Sequence, residues 1–350
     1  MTHIWVRAEQ RENETRTGLT PEGARQLLAE GVKVSVEESQ TRVIPNEAFA
    51  AVGCTMVPAH SWTDAPLDAT IFGLKELPDD GTPLPHHHIM FGHAFKGQPA
   101  GQRLLERFQS GGGTLLDLEY LVDDDDRRVA AFGYWAGYAG AAVALMCWAA
   151  QQRQETCPPV TASTTAQEMS KMLTSELDAI GTNRPTALVI GALGRVGRGV
   201  SDLCAAMDVA CKGWDINETS HGGPFPEVLE HDIFLNCILA APGTPVFVPA
   251  EAISAQRDLR VIADIACDPD SDFSPIKVYD RTTTWQQPAL RVAQSPVLDV
   301  TAIDNLPSLL PLESSEDFAQ QLLPSLGTLS RNGDVWQRAR ETFQMHLSRL

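Results

Sequence analysis

An α/β protein of two domains, each built on a parallel-rich sheet and separated from the other by a cleft, is what the sequence predicts. Three observations carry that expectation. Short apolar runs alternate with amphipathic ones up to about residue 122, a second alternation begins near residue 186, and the second opens on a glycine-rich turn between a strand and a helix. The 350 residues are 43% hydrophobic, enough to give each domain its own core. Both domains read as Rossmann-like, with the nucleotide-binding one inserted in the chain: residues 1–128 and 315–350 form one, residues 129–314 the other.

The strands of the first domain start at "HIWVRAE", followed by the helical "PEGARQLLAEG", the strand "VKVSVEE", the helical "NEAFAAVG" and the strand "TMVPA". "ATIFGLKE", "HIMFGHAF" and "TLLDLEYL" supply three more strands, with the helical "QRLLERFQS" between the last two. Residues 129–150 carry no charge and are long enough to span a bilayer. Gly133, Gly137 and Gly140 recur there at helical spacing, which favours a buried helix that another backbone approaches closely. A loop rich in Pro, Thr and Ser at 155–166 and a polar helix at 167–180 lead into the second alternation. Its strands are "TALVIGA", "CKGWDI", "DIFLNCIL" and "RVIADIA", spaced as βαβ units require. After Asp304 two helices and no new strand are expected. The helix at 129–150 and the segment near 305–320 then make the two crossings between domains.

Twenty-seven basic against 45 acidic residues leave a formal charge of −18, a field that opposes nucleic acid and anionic membrane surfaces. Neither is an expected partner, and any local cluster of Arg and Lys becomes a candidate site for a small anion. Seven cysteines, an odd number with no CxxC pair, suit a reducing compartment and form no zinc pattern. His86, His87, His88 and His93 lie close in sequence, but neighbours on a strand point to alternate faces and no acidic or Cys ligand follows at a useful spacing, so no metal is expected. The opening "MTHIWVRAEQRE" resembles neither a secretory signal nor a basic transit peptide, which points to the cytoplasm. The closing Ser348-Arg349-Leu350 matches a peroxisomal-type address that has meaning only in a eukaryotic source. A monomer is expected.

"TALVIGALGRVGRGVSDLCAAM" sets a β-branched strand directly before Gly191, Gly194 and Gly197, then a helix with Val196, Val200, Leu203, Cys204 and Met207 on one face. This is a GxxGxxG variant of the dinucleotide fingerprint: the glycines permit a tight turn that brings a diphosphate to the helix N-terminus. Asp215 closes the next strand, where a carboxylate takes the ribose hydroxyls and repels a 2′-phosphate. The cofactor expected is therefore NAD, with Gly191, Gly194, Arg195, Val196, Gly197, Asp215 and Ile216 around it.

With "FGLKELP", "HAFKGQ", "DLEYL", "RRVAAFGYWAGYAGAA", "IGALGRVG", "WDINETSHGGPF", "DIFLNCI" and "LPSLLPLESSEDF" in this order, the chain resembles the NAD-dependent, lysine-forming saccharopine dehydrogenases, related by fold to alanine dehydrogenase. The resemblance implies that saccharopine, NAD⁺ and water give L-lysine, 2-oxoglutarate and NADH, a reaction of lysine biosynthesis or metabolism. It places Lys75 as the base that neutralises the substrate amine and His93 as the group that activates water. Saccharopine carries three carboxylates, and Arg16, Lys96, Arg127 and Arg128 match family cations that would hold them. Either Arg127 or Arg128 can instead pair with the acidic run at 123–126. Glu76 and Glu119 match family acids near the catalytic pair, with ordinary strand-end salt bridges the alternative. Asp304 matches a family position on the cofactor side. Val196 stands where some members have a cysteine, which leaves Cys237 without that disulfide partner.

Two other functions compete. An amino-acid dehydrogenase of the alanine dehydrogenase type would use Arg, Lys and His in these places equally well. A catalytically silent NAD-binding module would leave the Lys, His and Arg set unexplained.

Overall fold

In the computed structural model, which describes residues 2–181, 183–331 and 333–350, the chain divides into two units: Met1–Ala131 with Ser314–Leu350, and Phe132–Glu313. The first unit holds β1 (His3–Val6), α1 (Pro21–Ala29), β2 (Lys33–Glu37), α2 (Asn46–Ala51), β3 (Thr55–Val57), β4 (Ala69–Phe72), β5 (His87–Met90), α3 (Pro99–Gly111) and β6 (Thr114–Asp117). Its six strands pair in parallel in the order β3-β2-β1-β4-β5-β6. The central strands β1 and β4, covered on both faces, are buried at every residue, and so is the edge strand β6. Trp5, Ile71, Met90, Leu105, Phe108, Leu115 and Phe343 form the core on one side.

Local chemistry fixes the helix starts. Thr20 caps α1 by accepting the Gly23 N–H at 3.2 Å, and Pro21 takes the first helical position, where its missing N–H costs nothing. Entering β5, His86 and His88 face the core and His87 faces out, the alternation that a strand imposes. The His88 ring packs edge-on against Trp62 and Phe108, and neither of its nitrogens has a hydrogen-bond partner among the described residues.

The second unit begins with α4 (Gly133–Gln152) and α5 (Ala166–Ala179), then β7 (Thr186–Ile190), α6 (Arg195–Ala206), β8 (Ala210–Trp214), α7 (Ile216–Thr219), β9 (Ile233–Asn236), β10 (Val261–Asp264), β11 (Leu290–Gln294) and β12 (Val297–Thr301). α8 (Pro311–Gly327) carries the chain back to the first unit, where α9 (Asp334–Leu347) packs on β6. The second sheet runs β11-β12-β10-β9-β7-β8 and is parallel except at its edge, where β11 and β12 form a hairpin. That hairpin is a correction: no strand was expected between "RVIADIA" and Asp304. Arg291 and Asp299 interrupt its apolar pattern, and they explain themselves by pairing with each other at 2.9 and 3.0 Å.

The glycines of α4 serve close packing, as their spacing suggests. A Cβ on Gly137 would collide with the Val196 carbonyl of α6, and one on Gly199 with the Tyr134 carbonyl of α4. Only bare backbone lets the two helices approach this far. Among the described residues no helix is long and apolar enough to cross a membrane.

Candidate functional site

In parallel sheets, ligands bind beyond the carboxyl ends of the strands, at the point where strand order reverses. In the first unit that point lies between β1 and β4. The residues just past those ends are Arg7, Ala8 and Glu9 after β1, and Gly73, Leu74 and Lys75 after β4. Glu9 accepts the main-chain N–H groups of Leu74 at 2.6 Å and Lys75 at 3.1 Å, while Arg7 Nη2 donates to the Lys75 carbonyl. Lys75 is thus gripped at both main-chain groups, and its half-buried side chain starts from a fixed base. Burial pushes the Glu9 carboxyl up, against the pull of Arg7 and the two N–H groups.

Behind this grip lies a buried ion pair. Arg16 donates to both oxygens of Glu14, at 2.8 Å from Nε and 2.6 Å from Nη2. Burial opposes ionisation of Glu14, but Arg16 and then Lys75 outweigh it and hold the carboxyl below its ordinary value. The charge of Lys75 is therefore felt at Glu14. Glu37, fully buried at the end of β2, accepts from Trp5 Nε1, the Ala8 N–H and the His60 N–H at 3.1, 2.8 and 2.9 Å, which ties down the chain leaving β1.

The next two strands carry a second cluster. His93 follows β5 in the left-handed conformation, φ +48°, and Glu119 follows β6. His93 Nδ1 lies 3.4 Å from Glu119 Oε2, an ion-pair distance rather than a tight hydrogen bond, and Lys96 Nζ lies 3.0 Å from Oε1. His93 first, then Lys96, bring the Glu119 carboxyl down to about 2 against the opposing effect of burial. A carboxylate so held stays charged through the neutral range, a fixed anion beside the imidazole.

The other candidates are spread more widely. Glu76 pairs with Arg11 at 3.8 Å, while Glu119 is the acid beside His93. Arg127 lies 3.8 Å from Asp125 in the acidic loop and is largely solvent-exposed; Arg128 pairs across that loop with Val122 as an isolated β-bridge. Arg7, Glu9, Glu14 and Glu37 were not singled out from the sequence. For the first three the one signal was the density of charge in "VRAEQRENETR" right after an apolar strand.

In the second unit, the reversal point lies between β7 and β9. Gly191 takes φ +91°, and a Cβ there would meet Ile238 and Cys237 of the chain leaving β9. A Cβ on Gly197 would strike the Gly191 carbonyl, so this turn closes only with glycine at both ends. Gly194 is the N-cap of α6 and makes no side-chain cap hydrogen bond, and a Cβ built on it would meet only the Gly191 carbonyl, at 3.4 Å. Arg195 opens the helix and Val196 packs into the core beneath it. Asp215 accepts the Leu193 N–H at 3.0 Å and caps α7 in a capping box with Glu218. Leu193, Ile216 and Leu239 are exposed beside these turns. A helix N-terminus opening on glycine, a fixed carboxylate and exposed apolar side chains fit the diphosphate, ribose and ring faces of a dinucleotide. Leu193 and Leu239 were not foreseen, because an exposed leucine has no signature in a pattern. Asp304 lies exposed in the turn after β12, near enough to Cys267 for its charge to be felt there. All seven cysteines are free thiols.

Residues 5–139 match the family described as alanine dehydrogenase/PNT, N-terminal domain. A saccharopine dehydrogenase (NAD(+), L-lysine-forming) from Yarrowia lipolytica is 43% identical over 361 residues, covering 99% of this chain and 98% of its own. One of the same name from Schizosaccharomyces pombe is 41% identical and covers 99% of each chain. A solved L-alanine dehydrogenase structure, 16% identical, shares the fold with a TM-score of 0.69 over 98% of this chain and 94% of its own. Near-complete coverage in both directions at this identity settles the family: the chain belongs to the NAD-dependent, L-lysine-forming saccharopine dehydrogenases.

Proposed function

We propose that this protein catalyses the reversible oxidation of saccharopine by NAD⁺ and water to L-lysine, 2-oxoglutarate and NADH. One observation carries the reading beyond family membership. Two acid–base groups, Lys75 and His93, follow adjacent parallel strands, each within electrostatic reach of a carboxylate: Glu14, ion-paired to Arg16, for the first and Glu119, 3.4 Å away, for the second.

The chemistry needs two such groups. A protonated secondary amine cannot lose hydride, so Lys75 takes the amine proton, and the ammonium it becomes is stabilised by Glu14. NAD⁺, when bound against the glycine turn and Asp215, supplies the hydride acceptor. His93 then draws a proton from water as that water adds to the substrate imine, with Glu119 stabilising the imidazolium. The same imidazolium returns its proton to nitrogen as the carbinolamine collapses. Lys96, Arg16 and Arg128 are the cations proposed for the substrate carboxylates, and Arg127 is the weaker candidate because it faces Asp125. Asp215 at the ribose position favours NAD over NADP. The free thiols support a reducing compartment, the cytoplasm.

The test is turnover of saccharopine with NAD⁺ and with NADP⁺, and NADH oxidation with 2-oxoglutarate and a panel of lysine, ornithine, alanine and ammonia. The expected result is turnover with saccharopine, NAD⁺ preferred, and lysine the best amine. Turnover of alanine with none of saccharopine overturns the reading.

A further inference from the structure

Beneath the His93 and Glu119 pair sits a carboxylate that the mechanism above does not use. Asp117 is the last residue of β6 and is 1% exposed. Its Oδ1 accepts the Glu119 N–H at 2.9 Å and its Oδ2 accepts the Gly92 N–H at 3.3 Å. One buried side chain therefore bridges the two loops that carry the pair, gripping Glu119 itself and the residue before His93.

Two features show that the loop is held to a conformation it would not keep unaided. His93 is left-handed at φ +48°, a region that residues with a Cβ seldom occupy. Gly92 packs so closely on the sheet that a Cβ there would lie 2.6 Å from Leu115 Cδ2 and 3.2 Å from Asp117 Oδ2, and both side chains would have to shift. We propose that Asp117 is a positioning residue for the reaction, fixing His93 and Glu119 relative to each other through the main chain of both loops. The proposal rests on the saccharopine-oxidising function given above.

Charge supports the geometry. Burial foremost, and Glu119 nearby, push the Asp117 carboxyl up to about 6, while the Glu119 N–H, His93 and the Gly92 N–H pull the other way. Lys96 faces the far oxygen of Glu119. A proton on Asp117 removes its charge and turns one acceptor oxygen into a donor, so one of the two N–H bonds is lost. Asp117→Asn has the same shape and makes that loss permanent.

The experiment compares Asp117→Asn and Asp117→Ala with the wild type from pH 5 to pH 8.5, reading kcat for saccharopine, KM for NAD⁺ and amide hydrogen exchange at residues 91–97 and 118–121. At pH 8, Asp117→Asn is expected to lower kcat by about 10- to 100-fold, the usual cost of misplacing a reacting group. KM for NAD⁺ stays within about twofold, because the glycine turn that holds the cofactor belongs to the other unit. The rate ratio of wild type to Asp117→Asn narrows toward pH 5, and exchange at both segments is faster in Asp117→Ala. A ratio that is the same at every pH, or unchanged kcat, overturns the proposal. The exchange arm needs neither substrate nor cofactor, so unchanged exchange refutes the grip even if saccharopine proves not to be the substrate. A wild type inactive on saccharopine, with exchange altered as expected, refutes the function and leaves the grip standing.

Discussion

Arg16 looks in the sequence like a cation waiting for a substrate carboxylate, yet in the fold both oxygens of Glu14 already hold it. Removing one partner of a buried pair leaves the other charged and unsolvated, which costs about 3 to 5 kcal/mol. Arg16→Ala is therefore expected to lower the thermal midpoint as well as to weaken saccharopine binding. Arg16→Ala combined with Glu14→Gln should recover part of the stability without recovering the binding. Loss of binding with an unchanged midpoint, measured by calorimetry, would show that the Glu14 contact contributes little. The residues singled out from the sequence are those proposed to act through a side chain on substrate or cofactor: Lys75, His93, Lys96, Glu119 and Asp215. Arg7, Glu9, Glu37 and Asp117 act on main-chain N–H and C=O groups of distant segments. Such partners exist only once the sheet has brought β1, β4, β5 and β6 side by side, so no local pattern announces them.

At the scale of elements, the strands of the first sheet and β7, β8, β9 and β10 of the second follow from apolar runs with turn signals between them. Strands buried on both faces advertise themselves. The β11–β12 hairpin does not, because it lies at an edge where polar side chains alternate with apolar ones and Arg291 answers Asp299 across the pair. The helix at 129–150 was legible for a different reason: its glycines needed another backbone to approach, and α6 provides it. Gly137→Val is expected to push α4 from α6 and cost about 1 to 3 kcal/mol, as overpacking does. Since α6 begins at the glycine turn, NAD⁺ affinity should fall with it, while a substitution at solvent-exposed Met172 of α5 should change neither. Titration of NAD⁺ by fluorescence, alongside thermal melts, reads both quantities. A destabilised variant with unaltered NAD⁺ affinity would uncouple the helix contact from the cofactor turn.

For the molecule as a whole, charge and burial set how stability responds to acid. His88 sits in the core with its imidazole held neutral, burial first and then Arg7 driving its pKa well below 6.5. The native ring resists protonation while the unfolded one titrates near 6.5, so below that pH the unfolded state binds the extra proton and stability falls, by up to about 1.4 kcal/mol per pH unit. Asp117 works in the opposite sense: its native carboxyl takes a proton near 6, before the unfolded one at 3.8, so acidification through that window stabilises the fold. His88→Leu isolates the first effect. It is expected to melt close to the wild type at pH 7.5 and to lose less between pH 6.5 and pH 5. An identical loss in both proteins would mean that His88 is not the buried group that matters. Sequence alone showed that the histidines alternate along the strand, but not that inward-facing His88 meets Trp62 and Phe108 instead of hydrogen-bond partners.

The division of labour between Lys75 and His93 is tested most directly by the pH–rate profile of saccharopine oxidation for Lys75→Met, His93→Gln and the double variant. Each single variant should lose about 10²- to 10⁴-fold in turnover, the usual range for acid–base help. Lys75→Met should recover partly as pH rises, because bulk solvent then deprotonates the substrate amine. His93→Gln should not recover in that way, since the step it loses is the addition of water. The double variant should fall short of the product of the two singles if the groups titrate as a linked set through Glu119 and Glu14. Near-normal rates and unaltered profiles in both single variants would contradict the assignment and reduce these two strand ends to scaffolding.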